Sequence, residues 1–277
     1  MIKLILDSIF FLDGGAMMGI VPRVLWSKFH EPDERGRIRL ASRVVLFEEK
    51  TSGRLWLIES GMGNGWDKKN MDIYGIEKVD GGVSGQLTSM GLSPEDVTDI
   101  ILTHLHFDHS AGLVSYCDDG KPELTFPSAK IHVQEKQLRW ALNPSIRDAL
   151  SFRKKDIEFL TANGQINLLD GDCHLSDSVS VTCFFGHTDA MQGVKIETES
   201  GIFVVPGDLI PVFSHVRLPW IMAYDNRPLI TVEEKKKFLH DAHRGEWVIL
   251  SVHDEKIPSA KIIQKDDGRY DIEVVNL

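Results

Sequence analysis

The most informative part of this chain is the run Thr103-His104-Leu105-His106-Phe107-Asp108-His109-Ser110-Ala111-Gly112. It directly follows the apolar run Ile100-Ile101-Leu102. An apolar, β-branched run that gives way to polar residues and a glycine is typical of a buried strand that ends in a loop. Because side chains alternate in direction along an extended segment, we expect His104 and His106 to point the same way.

The same stretch contains four potential metal ligands within six residues: His104, His106, Asp108 and His109. A helix that begins near Asp108 would turn the last two side chains toward the first two. Imidazole and carboxylate groups together suit zinc, iron or manganese better than calcium or magnesium. The alternative is a set of surface histidines at a strand end, which explains one or two such residues better than four. The stretch therefore predicts a metal site.

Three later segments have the same form, because each is an apolar β-like run that ends in a potential ligand. These ligands are His187 after the run that ends at Phe185, Asp208 after Ile202 to Val205, and His253 after Trp247 to Val252. A sheet that presents ligands from one edge of its strands builds a rigid metal site. A single histidine at such a position would indicate little, whereas four endings of this kind in one chain predict a common site.

The motif His104-Leu105-His106-Phe107-Asp108-His109 resembles the signature of the metallo-β-lactamase superfamily. The resemblance covers nearly the whole chain, from the strand near residue 43 to His253. It implies an α/β (α+β) fold, a four-layer αββα sandwich of two mixed β-sheets flanked by helices. Residues 1–277 would form one such domain, with a helical insertion around residues 134–163 that Pro144 divides into two pieces.

The resemblance also implies two divalent metal ions, with zinc expected and iron or manganese as alternatives. The first ion would be held by His104, His106 and His187, the second by Asp108, His109 and His253, and Asp208 would bridge both. The third-ligand loop departs from the usual His-Thr-Pro-Gly-His, because His187-Thr188 is followed here by Asp189-Ala190-Met191. The ligand is kept, so the departure affects only the shape of the loop and the substrate that it admits.

A second departure concerns the turn Glu59-Ser60-Gly61, which stands where the superfamily usually carries Asp-Thr-Gly. Two interpretations remain open for Glu59. It either orients a ligand histidine from behind, as carboxylates commonly do, or caps the turn.

The complete ligand set without a cysteine looks more like lactonases and related hydrolases than like true β-lactamases. Residues 14–19 with Pro22 and Trp26 are similar to the branch of quorum-signal lactonases and organophosphate hydrolases. One feature departs from that branch, because Pro211 stands where a tyrosine often follows the bridging aspartate.

The implied function is a hydrolase whose metal-bridging hydroxide opens a lactone or cleaves a carboxylic ester. Phosphoester or organophosphate hydrolysis at the same site is one alternative, and a non-catalytic metal-binding scaffold is another. Asp108 is the candidate catalytic residue, as both ligand and proton donor to the leaving group. The candidates for the wall of the substrate pocket are Phe107, Asp189, Phe213, His215 and Trp220, with Tyr224 left open.

Composition limits the remaining function classes. The net charge of −10 argues against a nucleic-acid partner, for which a basic face would be expected. The resemblance implies a small-molecule substrate instead. No apolar run approaches the roughly 20 residues of a membrane span. The three cysteines are widely spaced and form no disulfide framework, so we expect a cytoplasmic protein. A homodimer is a family-level expectation, through the helices of residues 134–163.

Several local expectations complete the sequence-based prediction. Residues 13–19 are expected to form a glycine-containing loop, residues 20–40 a long surface loop with one helical turn, and residues 115–127 a polar loop. Residues 43–49 and 54–58 are expected to pair as a hairpin. Residues 231–243 form a predicted helix with Thr231 as its N-cap. His30, His132, His174, His240 and His243 are interpreted as ordinary histidines.

Overall fold

The computed structural model describes all 277 residues. Its sixteen strands are β1 (Ile2–Asp13), β2 (Arg37–Glu49), β3 (Arg54–Ile58), β4 (Glu77–Lys78), β5 (Asp99–Ile101), β6 (Val114–Tyr116), β7 (Pro122–Leu124), β8 (Lys130–Gln134), β9 (Ile166–Leu169), β10 (Cys173–His174), β11 (Val179–Phe184), β12 (Met191–Thr198), β13 (Gly201–Val205), β14 (Val248–Leu250), β15 (Ser259–Gln264) and β16 (Tyr270–Val274). Its α-helices are α1 (Gly14–Met18), α2 (Arg23–Trp26), α3 (Lys68–Tyr74), α4 (Gly82–Ser89), α5 (Phe107–Ser110), α6 (Glu135–Leu142), α7 (Lys154–Ala162) and α8 (Pro228–Arg244). None of these helices is long and apolar enough to cross a bilayer.

The first large sheet is mixed and has the strand order β4-β1-β2-β3-β5-β8-β9. Strands β2 and β3 form the predicted antiparallel hairpin, whereas β3, β5, β8 and β9 pair in parallel. Parallel strands end at the same edge of a sheet. The register pairs Ile58 with Ile101, so Glu59 leaves the sheet next to the residues that follow β5.

The second large sheet has the strand order β10-β11-β12-β13-β14-β15-β16. Its strands are antiparallel except for β13 and β14, which are parallel and are connected through α8. Strand β11 is two antiparallel steps from β13, so β11, β13 and β14 all end at the same edge. His187, Asp208 and His253 follow these three ends.

Contacts between Cα atoms group the chain into two compact units, Met1–Ile9 with Ala41–Gly171, and Phe10–Leu40 with Asp172–Leu277. Each unit has its own apolar core. Val44, Leu57 and Ile100 belong to the core of the first unit. Val204, Leu239 and Ile249 belong to the core of the second. The prediction of a single domain stays a prediction.

Several local expectations are confirmed, and others are wrong. Two helices, α6 and α7, occupy residues 134–163 and lie on either side of Pro144, as expected. Residues 13–19 are mostly helix rather than loop, because the carboxylate of Asp13 accepts a hydrogen bond from the Ala16 N–H at 2.7 Å and caps α1. The polar segment 115–127 contains most of the two-stranded sheet formed by β6 and β7.

The assignment of Thr231 as an N-cap is wrong. Helix α8 begins three residues earlier, with Pro228 at its first position and Thr231 buried inside the first turns. Proline is well suited to the first helical position because its fixed φ fits the helix and its missing N–H would have no helical partner there. The charged surface loop also ends early, since β2 begins at Arg37.

Candidate metal centre

The motif after β5 forms the turn and helix that the sequence predicts. His106 is the N-cap residue of the four-residue helix α5, which carries Asp108 and His109. The side chains of His104, His106, Asp108 and His109 are all buried. Nε2 of His104 lies 3.0 Å from Nδ1 of His106, and Nε2 of His109 lies 3.7 Å from Oδ2 of Asp108. Four potential ligands are therefore concentrated at one end of β5.

Glu59 and Thr103 support two of these rings from behind. Oε1 of Glu59 lies 3.0 Å from Nδ1 of His109 and accepts a hydrogen bond from the Thr103 hydroxyl at 2.5 Å. The Thr103 hydroxyl oxygen in turn lies 3.0 Å from Nδ1 of His104. A hydrogen bond at Nδ1 fixes the tautomer and leaves Nε2 to bind a metal. The contacts favour the interpretation of Glu59 as an orienting carboxylate.

Asp225 supports the ring of His187 in the same way, through Nδ1. Its Oδ1 lies 2.9 Å from Nδ1 of His187, and both side chains are buried. Sequence analysis missed Asp225 because it is one of 41 acidic residues and no apolar strand precedes it. A ligand histidine commonly has a carboxylate partner, which predicts that such a residue exists but does not identify it in the sequence.

Asp208 lies between two histidines. It is in a 3-10 turn, Gly207–Leu209, just after β13. Its Oδ2 is 3.4 Å from Nε2 of His187, and its Oδ1 is 3.4 Å from Nε2 of His253. The two carboxylate oxygens thus face two different imidazoles. The His253 ring is further supported by Phe10, whose ring contacts it edge-on at a centroid distance of 5.4 Å.

The seven predicted ligands lie together within each unit: His104, His106, Asp108 and His109 in the first, and His187, Asp208 and His253 in the second. All seven side chains are buried. Imidazole nitrogens and carboxylate oxygens at such distances are the donor set of zinc, iron and manganese centres, so the residues fit a divalent metal site.

The five residues proposed from sequence for the pocket wall have varied environments. The Phe107 ring packs against Trp66 and Tyr74, at centroid distances of 5.3 and 4.6 Å. Asp189 forms an ion pair with Arg227 at 3.1 Å. Phe213 is buried in the core of the second unit.

The remaining two are anchored by their neighbours. Nε2 of His215 lies 2.9 Å from the carbonyl oxygen of Met17, to which it donates. Complete burial, reinforced by the nearby Lys235, lowers the pKa of His215 to about 3, so its ring is neutral at ordinary pH. Trp220 contacts Phe29 edge-on at 5.4 Å, and the Arg217 guanidinium lies over both rings. The pocket role of all five residues, and that of the half-buried Tyr224, stays a prediction.

His132 is an ordinary buried histidine, as predicted from sequence. Its Nε2 lies 2.7 Å from Oδ1 of Asp99, which also pairs with Arg54, and its Nδ1 lies 3.0 Å from the side-chain amide of Asn167.

The sequence model of the Metallo-beta-lactamase superfamily matches residues 38–253. This chain belongs to that superfamily. Over 207 residues it is 25% identical to the N-acyl homoserine lactonase AttM of Azorhizobium caulinodans. The aligned region covers 72% of this chain and 74% of AttM.

Solved structures agree with this membership. A probable metal-dependent hydrolase from Staphylococcus aureus superposes with a TM-score of 0.85 at 26% identity, over 100% of this chain and 98% of the other. AidC, a dizinc quorum-quenching lactonase, superposes with a TM-score of 0.79 at 20% identity, over 100% and 94%. The predicted metallo-β-lactamase fold is confirmed. Family, fold and clustered ligands together make this chain a metal-dependent hydrolase.

Proposed function

We propose that this chain is a dinuclear metal hydrolase that opens a lactone or cleaves a carboxylic ester. The observation that carries the proposal is the position of Asp208, whose two oxygens each lie 3.4 Å from a different histidine Nε2. A carboxylate in this position suits a bridge between two ions. The lactone substrate class is supported by the similarity to AttM, which is described as an N-acyl homoserine lactonase.

The proposed coordination is the one that membership in the superfamily implies. One ion would be held by His104, His106 and His187, the other by Asp108, His109 and His253, and Asp208 would serve both. Zinc is the proposed metal, because imidazole-rich sites suit it and one structural neighbour is described as dizinc. When bound, two such ions supply a water that is nucleophilic near neutral pH and stabilise negative charge in the transition state.

The protein's own groups have distinct tasks in this proposal. Glu59 and Asp225 keep the rings of His109 and His187 in the tautomer whose Nε2 binds the metal. Asp108 is the proposed catalytic residue: its carboxylate takes the proton that the attacking water gives up and hands it to the oxygen of the leaving group as the carbonyl–oxygen bond breaks. Proton donation to an alkoxide matters most when the leaving group is strongly basic, as it is in an aliphatic lactone.

The proposed pocket wall consists of Phe107, Asp189, Phe213, His215 and Trp220. Phe107 is the best supported of them, because it lies between the ligands His106 and Asp108 in the chain. A small-molecule substrate is the proposed partner. We also propose a cytoplasmic setting, with which the three free cysteines agree.

A homodimer remains part of the proposal. Two apolar side chains in the connection between α6 and α7, Ile146 and Leu150, are almost completely exposed. Contiguous exposed apolar patches mark protein–protein interfaces, whereas scattered single side chains do not. Light scattering after gel filtration tests the dimer: a mass near twice 31.2 kDa is expected, and a monomer at micromolar concentration contradicts it.

A substrate panel tests the function. Zinc-loaded and chelator-treated protein is assayed with N-acyl homoserine lactones, aryl esters and phosphotriesters, with Asp208→Asn as the control variant. We expect lactone turnover that requires the metal and falls at least about 100-fold in Asp208→Asn, an effect typical of a metal-centred charge stabiliser. Turnover of phosphotriesters alone would replace the proposed substrate class, and no turnover of any ester would favour a metal-binding scaffold.

A further inference from the structure

The loop that delivers His187 is held at its backbone by α8. Strand β11 ends at Phe184, and the chain reaches His187 through Phe185 and Gly186. Oε1 of Glu234 accepts a hydrogen bond from the Phe185 N–H at 2.7 Å, and Oε2 accepts one from the Gly186 N–H at 3.0 Å. One carboxylate thus binds the two peptide groups that directly precede His187.

The loop and the helix also approach too closely for any residue but glycine. A Cβ at Gly186 would lie 2.3 Å from the Thr231 hydroxyl oxygen and 2.4 Å from the Thr231 nitrogen. The segment before α8 adds two hydrogen bonds, from the Arg227 N–H to the Gly186 carbonyl at 2.8 Å and from the Asn226 N–H to the His187 carbonyl at 3.0 Å. The backbone around His187 is therefore built against α8.

The chemistry of this contact requires a carboxylate. Two neighbouring N–H donors point at one side chain, and an ionised carboxylate offers an acceptor oxygen to each. Glutamine at position 234 would have nearly the same shape, but its amide offers one oxygen and one NH2 group. The NH2 group would face an N–H donor, so one hydrogen bond would become a repulsive contact.

We propose that Glu234 is a positioning residue of the metal centre, because it fixes the backbone from which His187 reaches the metal. Asp225 holds the His187 ring through Nδ1, whereas Glu234 holds the chain in front of it and does not bond to the ring. The inference rests on the proposed function in one respect only, that His187 binds a metal. Loss of Glu234 would move Nε2 of His187 away from its place beside Asp208.

The competing view is that Glu234 only fastens α8 to the sheet and contributes to stability alone. Glu233 provides a matched control, because it is its exposed neighbour in the same helix and makes neither of these hydrogen bonds. Glu234→Gln and Glu233→Gln remove the same charge from the same helix. They differ in whether the His187 loop loses its acceptor.

The test measures zinc binding to the full chain by competition with a chromophoric chelator, without any substrate. We expect Glu234→Gln to weaken the binding of one zinc ion about 10- to 100-fold, the size found when an outer partner of a metal ligand is removed. The visible spectrum of the cobalt-loaded variant should also change, because the His187 nitrogen shifts. Glu233→Gln should match the wild-type protein in both measurements.

Wild-type zinc affinity and an unchanged cobalt spectrum in folded Glu234→Gln would overturn the proposal. If Glu234→Gln does not fold, Glu234→Asp replaces it in the test, because aspartate keeps both carboxylate oxygens but holds them one methylene further from the loop. Weakened zinc binding by Glu234→Asp would support the proposal, and wild-type binding would overturn it. Absence of lactone turnover in the wild-type protein would overturn the proposed substrate class and leave this result unaffected, since zinc affinity is measured without substrate.

Discussion

Oε1 of Glu59 lies 3.0 Å from Nδ1 of His109, and both side chains are only 1% exposed. The same oxygen accepts the Thr103 hydroxyl hydrogen, and Thr103 contacts His104. One carboxylate at the end of β3 therefore supports, directly or through Thr103, two rings that follow β5. The parallel register of β3 and β5 makes this contact, because it brings their ends together.

Glu59→Gln should weaken metal binding. The amide can still accept from one donor, but it loses the negative charge that makes the His109 ring more basic. We expect a 10- to 100-fold loss of zinc affinity, measured by chelator competition. Glu48→Gln, at an exposed position of β2, is the control. Equal affinities for both variants and the wild-type protein would show that Glu59 serves only the turn.

Asp108→Asn separates proton transfer from metal binding by its dependence on the leaving group. If Asp108 protonates the leaving oxygen, the variant should lose about 100-fold or more of kcat with an aliphatic lactone. With a 4-nitrophenyl ester, whose leaving group needs no proton, the loss should be clearly smaller. Rates are compared at matched zinc occupancy. Equal losses for both substrates would mean that Asp108 acts only as a ligand.

Metal removal should destabilise the fold, because the ligands come from the ends of β5, β11, β13 and β14. An ion that binds only the native state stabilises it by RT ln(1 + [L]/Kd), about 2.7 kcal/mol per site at 100 times Kd. We expect chelation to lower the thermal midpoint by several degrees and zinc to restore it. A midpoint that does not respond to zinc would mean that the ligands do not act together.

Asp99→Asn should destabilise the first unit without affecting the metal site. Asp99 is buried, which would raise its pKa, but hydrogen bonds from His132, Arg54 and Thr98 prevail and hold that pKa well below its usual value of 3.8. Since the folded pKa is depressed, the stabilisation is present above about pH 4 and is lost as the pH falls. We expect the variant to lose roughly 3 kcal/mol at neutral pH, the lower range for a broken buried pair.

Urea unfolding across pH 2.5–7 measures this effect. The difference between Asp99→Asn and wild type should shrink as the pH falls below 4, while zinc affinity near neutral pH stays at the wild-type level. If the difference in the free energy of unfolding does not depend on pH, Asp99 stabilises the protein through packing and not through its ion pair.

The candidate ligands could be proposed from sequence because their signal is local. In the His-x-His-x-Asp-His stretch, the residue types, the strand before it and the helix after it all lie within a few positions. His187, Asp208 and His253 each follow an apolar run that ends at the same edge of a sheet. Each of these seven residues therefore follows an apolar strand that can be recognised in the sequence.

The supporting residues could not be found in this way. Asp225 contacts His187 from 38 residues further along the chain. Glu234 contacts Phe185 and Gly186 from 49 and 48 residues further along. Nothing next to them in sequence distinguishes them from the other acidic residues of the chain. The error at Thr231 has a different cause, because two good starting signals compete there and Pro228 begins the helix first.

The most direct test of the account is the number of zinc ions that metal-free protein retains after equilibration with zinc and removal of the excess, measured by elemental analysis. Asp208 and the six other ligands predict close to two ions per chain, and Asp208→Asn should retain clearly fewer. Less than one ion per chain in the wild-type protein, with no recovery on further addition of zinc, would contradict the proposed dinuclear centre.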